Sequence, residues 1–512
     1  MKEASRTKRT IQNSRTSLLL FLFQILVGFY SRKVFLDYLG AEVLGVNTTL
    51  GNILSFLNLT ELGIGIAMST SLYKPIQKQD EEGICEILAV QGYLYKRIVV
   101  VLCCLSIPIL IFIPSLFPTV ECGNGYVYLA FFVFLSGSIT SYLWNYRQVL
   151  IGADQKNFKL QPWVHGVRYL KLFLQIFFLL VVNLGVWGWI LLELVANILT
   201  VFVINAVLRR EYPWLRSAKL PAKDLLNKYS VLIKKTKQIF VHKIGLFVLE
   251  QTSPLIIYAL VSLSMVTYYG NYMILIGYTT TLMNVVFDGM GASIGSLVAE
   301  NNKKHTIDVF WELFVSRVWI SAIVCFMLFL FMDIFIRFWI GESYIIGSDS
   351  LMLMLIIMFI RLVRSVTDSF NHAYQLFGDV WAPIVEGIIN LSLAFWLGSI
   401  WGLNGILLGV IFSLLATGLL WKPYYLFSNG LKVPTIYFYY HFVIHLAILI
   451  GSAYSSVYII GAIDKSDTIW GEILYKSITL VSFVVFSFVL LFLLTSGMRN
   501  FTRRILGIIH VI

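Results

Sequence analysis

Fourteen separate apolar runs recur along the chain, each close to the 20 or so residues that a helix needs to cross a bilayer. They centre near Phe23, Leu54, Leu105, Phe134, Ile176, Val195, Val248, Leu275, Val324, Ile356, Ala394, Leu414, Ile448 and Val485. Spans packed this densely into 512 residues leave no room for a soluble domain of normal size. Composition agrees. Hydrophobic residues make up 58% of the chain, charged residues only 13%, and the mean hydropathy is +0.81. A soluble protein would carry roughly twice that charged fraction. The expected fold is all-α, a polytopic membrane protein of about fourteen transmembrane helices.

Lysine and arginine placement sets an expected orientation. With the N-terminus in the cytoplasm, 28 of the 39 basic residues fall on the cytoplasmic side, 4 outside and 7 within spans. Both termini are then cytoplasmic, and residues 1–17 read as a retained basic tail, because no small-residue cleavage site follows. The net charge of +12 is a consequence of topology, so no nucleic-acid partner is needed to explain it. Five cysteines show neither metal spacing nor a disulfide framework.

The chain also repeats itself. Gly51, Asn58, Gly63 and Gly65 in span 2 recur at the same spacing as Gly277, Asn284, Gly289 and Gly291 in span 8. Pro162 and Gly166 answer to Pro383 and Gly387, and Gly185 and Gly188 to Gly402 and Gly405. The three matches come in chain order, and their offset shrinks slowly from the first to the last. A repeat of six spans keeps both copies in one orientation, as parallel repeats do in transporters. The expected organisation is an N-terminal lobe over 1–207, a basic cytoplasmic linker over 208–237, a C-terminal lobe over 238–430, and spans 13 and 14 with a tail over 431–512. Two lobes around a cleft suit alternating access, and the chain shows no nucleotide-binding loop or metalloprotease helix. No cofactor is expected.

Three stretches resemble a known family. SRKVFLDYLGAEVLGVNTTLGNILSFLNLTELGIG is similar to the opening of the polysaccharide (O-antigen) flippases of the multidrug/oligosaccharidyl-lipid/polysaccharide (MOP) exporter superfamily, with its Leu-Gly and Gly-rich second helix. YRQVLIGADQKNF resembles their helix 4–5 junction, and AYQLFGDVWAPIVEGIINLSLAFWLGSIWGLNGILLGVIFS their helices 11 and 12. The resemblance implies a transporter, not an enzyme, in a bacterial inner membrane. Its substrate would be an undecaprenyl-diphosphate-linked oligosaccharide, an O-antigen or capsule repeat unit, moved from the cytoplasmic to the periplasmic leaflet. Membrane lipids, a polysaccharide polymerase and a chain-length regulator are the implied partners. The alternatives are an ion-coupled multidrug antiporter of the same superfamily, which should show an acidic cavity, and a membrane polysaccharide polymerase, which should carry a large periplasmic loop. Here the longest polar loop lies on the expected cytoplasmic side.

Ionisable groups within spans are costly and mark functional sites by default. In span 5, His165, Arg168, Lys171 and Gln175 share one helical face, with Lys171 roughly 13 Å along the helix from Pro162. Span 10 carries Arg361, Arg364 and Asp368 on a similar stripe. With Lys243 in span 7 and Arg147 at the end of span 4, these residues form an expected cationic cavity for a diphosphate. The competing reading is structural: Arg364 pairs with Asp368, while Arg147 and Lys243 snorkel to the surface. Glu61, Asp288, Glu250 and Glu386 are candidates for ion coupling or for charge balance against these cations. His441 and His445 have metal-ligand spacing but no third ligand nearby, which favours packing.

Overall fold

The computed structural model describes residues 6–509 apart from 59–63, 119, 217–224, 227, 230–251, 289–293, 296, 299, 301, 375, 377, 380 and 462–467. Among the described residues every regular element is helical, and ten helices are long and apolar enough to cross a membrane. Large apolar side chains such as Phe202 and Trp470 stand exposed on their outer faces, as lipid contact requires. The protein is a multi-pass membrane protein. The chain divides into two compact units, Met1–Thr267 and Tyr268–Ile512.

In the first unit, α1 (Arg6–Leu57) joins predicted spans 1 and 2 without a loop. Gly40 makes the bend at φ +81°, a conformation that a side chain would strain. Then follow α2 (Ile64–Lys78), α3 (Glu81–Leu116), α4 (Gly123–Leu143), the short α5 (Gln148–Ala153), α6 (Asn157–Phe177) and α7 (Gly185–Glu211). Asp80 caps α3 by accepting the Gly83 N–H at 2.9 Å, with Glu81 and Glu82 in the first turn where the helix dipole favours them. Residues 252–267, expected in the second lobe, pack in this first unit: Tyr258 stacks on Phe117, and the Thr267 hydroxyl donates to the Ala41 carbonyl at 2.7 Å.

The second unit contains α8 (Leu263–Asp288, from Tyr268 onward), α9 (Lys303–Trp339), α10 (Ser348–Ala373), α11 (Ala382–Leu414), α12 (Ile436–Gly461), α13 (Ile469–Leu494) and α14 (Ser496–Ile509). Predicted spans 11 and 12 follow one another without a loop: the chain leaves helical geometry at Gly402, and Gly405 and Gly409 then lie close against Leu397 and Ala394 of the preceding span. Predicted spans 13 and 14, which are α12 and α13, pack on α9: Phe326 lies 4.6 Å from Phe483, and Trp319 Nε1 donates to Ser487 Oγ at 3.0 Å. His441 and His445 sit beside Trp311 in an aromatic cluster with Phe314 and Phe438, a packing role.

The glycines of the repeat share a physical purpose. Gly185 and Gly402, paired in sequence, both adopt φ +55°. Their partners one turn on lie at close approaches: a Cβ on Gly188 would fall 2.4 Å from the Leu184 side chain, and one on Gly405 only 1.9 Å from the Leu397 carbonyl oxygen. The first glycine of each pair bends the chain, and the second lets it fold back on itself.

Candidate functional site

The stripe on α6 is present but does not act as one group. Lys171 Nζ donates to both carboxylate oxygens of Glu193 on α7, at 2.8 and 2.9 Å. Gln175 is buried and donates to the Trp189 carbonyl at 2.8 Å. Arg168, one turn before Lys171 on the helix, is exposed and has no hydrogen bond or ion pair among the described residues. The α10 stripe divides in the same way. Arg364 Nη1 donates to both oxygens of Glu386 at 3.0 Å, and its Nε donates to Asp368 at 3.1 Å. Arg361, one turn earlier, is half-buried and unpaired among the described residues.

These pairs narrow the expected cationic cavity. Lys171 and Arg364 are not free cations, because each is neutralised within its own unit by a carboxylate on the helix that follows. Glu386, a candidate for ion coupling, is only 1% exposed and committed to Arg364. Arg147 closes a single 3-10 turn and donates Nε to the Tyr146 hydroxyl at 3.3 Å. Lys243, Glu61 and Glu250 lie outside the described residues, and so does the side chain of Asp288, the last residue of α8.

Sequence reasoning missed two charged residues that the fold makes prominent. Glu193, in an apolar run, partners Lys171 and lines a cavity of about 600 Å³ within the first unit. Arg317, in the middle of α9, is 1% exposed. It donates to the Leu362 carbonyl at 3.0 Å, the Met283 carbonyl at 3.3 Å and Asn284 Oδ1 at 2.9 Å. The signal that singled out the other residues, a charge inside an apolar run, was available for both.

The repeat also extends along α3 and α9. Glu86 and Glu312 stand at the same offset as Gly51 and Gly277, and they are 6% and 4% exposed. Each is held by a cation from a segment outside the apolar runs. Lys228 of the basic linker, with the Tyr229 hydroxyl, donates to Glu86, and Arg504 of α14 donates to Glu312 at 2.8 Å. Gly497 lets α14 lie close on α9, because a Cβ there would fall 2.7 Å from the Trp311 carbonyl oxygen.

No protein-family model matches the chain, and no curated protein matches it in sequence. Solved structures do match it in fold. The lipid II flippase MurJ in its inward closed conformation has a TM-score of 0.63 at 15% identity, over 92% of this chain and 98% of its own. An inward-facing multidrug resistance MATE family transporter of the MOP superfamily has a TM-score of 0.57 at 16% identity, over 80% of this chain and 95% of its own. The chain therefore has the fold of a multi-pass helical membrane transporter. More particularly, it is the fold shared by MurJ and the MATE transporters of the MOP superfamily.

Proposed function

We propose that this protein is a flippase of a lipid-linked oligosaccharide, undecaprenyl-diphosphate being the carrier, working by alternating access in a bacterial inner membrane with both termini cytoplasmic. The observation that carries this reading is the state of the membrane-helix charges. Arg168 and Arg361 have no acid against them among the described residues, while Glu193 and Glu386 are each occupied by a cation at 2.8–3.0 Å. An unpaired guanidinium within an apolar helix is expensive, and its planar fork matches a phosphate. The second reading, an ion-coupled multidrug antiporter, draws on the likeness to the MATE fold. It would need a free acid where, among the described residues, Arg168 and Arg361 stand unpaired.

The test is export of surface glycan in cells that depend on this protein. The Arg168→Ala, Arg361→Ala double variant should lose export by tenfold or more, since each charge-assisted phosphate contact contributes about 1.5–3 kcal/mol. The same variant should remain in the membrane at ordinary levels, because neither side chain makes a hydrogen bond or ion pair to another element among the described residues. The Lys double variant should retain part of the activity, the charge surviving without the fork. Undiminished export in the alanine variant would remove both residues from the substrate path.

A further inference from the structure

The cavity of the first unit is lined by Asn58 just past α1, Gln91 and Tyr95 on α3, Ser138 and Tyr142 on α4, and Glu193 on α7, among others. Two of its polar side chains end in acceptors that meet no donor among the described residues. Gln91 is only 1% exposed, yet its Oε1 has no hydrogen-bond partner among the described residues. Asn58 donates Nδ2 to Ser138 Oγ at 3.0 Å, and its Oδ1 is likewise left without a partner. A buried carbonyl oxygen without a donor costs about 1–3 kcal/mol. Both residues line one cavity with these oxygens buried in its wall, and a turn of either amide would offer its acceptor to a donor in the cavity.

The second unit shows what such donors look like when they are built in. The repeat offset that carries Gly51 onto Gly277 also carries Asn58 onto Asn284 and Gln91 onto Arg317. There the Arg317 guanidinium serves Asn284 Oδ1 directly, at 2.9 Å. The second unit therefore satisfies its asparagine with a side chain of its own. In the first unit glutamine replaces that arginine, and about 600 Å³ of space lies beside it.

Three properties identify what fits. The volume lies within the ~300–1,000 Å³ of small-molecule sites, far above a cage that holds one ion by a few oxygens at close range. Lys171 neutralises Glu193, the one acid among the described residues lining the cavity, so a cation gains little there. Tyr95 and Tyr142, edge to face with centroids 5.2 Å apart, supply aromatic surface beside the amides and hydroxyls. A ligand with several O–H or N–H donors around an apolar ring face and no net charge answers all three. Carbohydrate has that chemistry.

We infer that this cavity is a sugar-recognition subsite, which takes one or two hexose units of the transported glycan by their hydroxyl or acetamido donors. The inference rests on the flippase reading and deepens it: the first unit's cavity reads the sugar of the lipid-linked substrate.

The experiment uses the full-length protein in detergent. Its probe is the free oligosaccharide released by mild acid from the host's own lipid-linked precursor, with sodium chloride and tetraphenylphosphonium as comparison probes. Binding is read by isothermal calorimetry and by the rise in melting temperature. Wild type should bind the oligosaccharide. Gln91→Arg, which copies the plug of the second unit, should bind at least tenfold more weakly and should lower export in cells. Because Gln91→Arg can fail to fold, the Asn58→Leu, Gln91→Leu double variant, which removes the acceptors without adding bulk, should show the same loss. Three results would overturn the subsite: no oligosaccharide binding by wild type, unchanged binding in both variants, or selective stabilisation by sodium or tetraphenylphosphonium that Gln91→Arg abolishes. Export persisting in a folded Gln91→Arg protein would remove the subsite and leave the flippase reading standing. A protein that flips no lipid-linked oligosaccharide at all would remove both.

Discussion

Replacing Arg364 with alanine should empty the membrane of this protein. Glu386 is 1% exposed, and both of its oxygens accept from the Arg364 guanidinium at 3.0 Å. Without that partner the carboxylate remains buried and unpaired, a loss of about 3–5 kcal/mol, which is a large part of what holds any domain together. Asp368, the second acid on Arg364, is about a third exposed and can be solvated after the loss. The damage therefore falls on α10 and α11, the helices that Arg364 and Glu386 join. Replacing both residues with leucine should restore much of the protein, since removing a buried pair together leaves no orphaned charge. Membrane abundance and the melting temperature in detergent check this. A stable Arg364→Ala protein would mean that Glu386 is not held by this contact.

Arg317→Leu should be comparably severe, for a different reason. Arg317 is 1% exposed and gives hydrogen bonds to two backbone carbonyls and to Asn284, drawing α8, α9 and α10 together. Leucine would leave all three acceptors without this donor: the Leu362 carbonyl keeps the Ser365 hydroxyl, while the charge-assisted bond to Asn284 alone contributes about 1.5–3 kcal/mol. Lysine should rescue poorly, because a single ammonium cannot reproduce the fixed fork that reaches three directions. Glutamine, the residue found at the matching position of the first unit, should be milder than leucine, since its amide still supplies donors. The order Arg, Gln, Leu in melting temperature follows from this, and the reverse order of Gln and Leu would contradict it.

Much of the architecture was readable because a membrane helix must be long and apolar wherever it stands, whatever it packs against. The glycine pairs were readable too. Gly185 and Gly402 share φ +55° because the bend they make is a backbone property, and only glycine enters it freely. The site was harder. A periodic stripe shows which side chains share a helical face, as with Arg168 and Lys171, but not what the neighbouring helix presents to them. Lys171 and Glu193 stand on consecutive helices joined near Asn183, at similar distances from that turn, so the hairpin itself brings them together. Arg364 and Glu386 repeat the arrangement across the turn between α10 and α11. Counting back from each turn would have found both pairs. The role of Gln91 was not legible at all, because an uncharged amide in a span carries no signal until its acceptor is seen to lack a donor.

The central claim is that the substrate is an anionic lipid-linked glycan and not a cationic drug. The direct measurement reconstitutes the purified protein in liposomes that contain fluorescent undecaprenyl-diphosphate-linked oligosaccharide, and follows its appearance in the opposite leaflet. Parallel liposomes carry a cationic dye under an imposed proton or sodium gradient. The account predicts leaflet exchange of the lipid-linked glycan that requires the protein and is lost in the Arg168→Ala, Arg361→Ala variant, with no dye movement. Gradient-driven dye efflux without glycan translocation would contradict it.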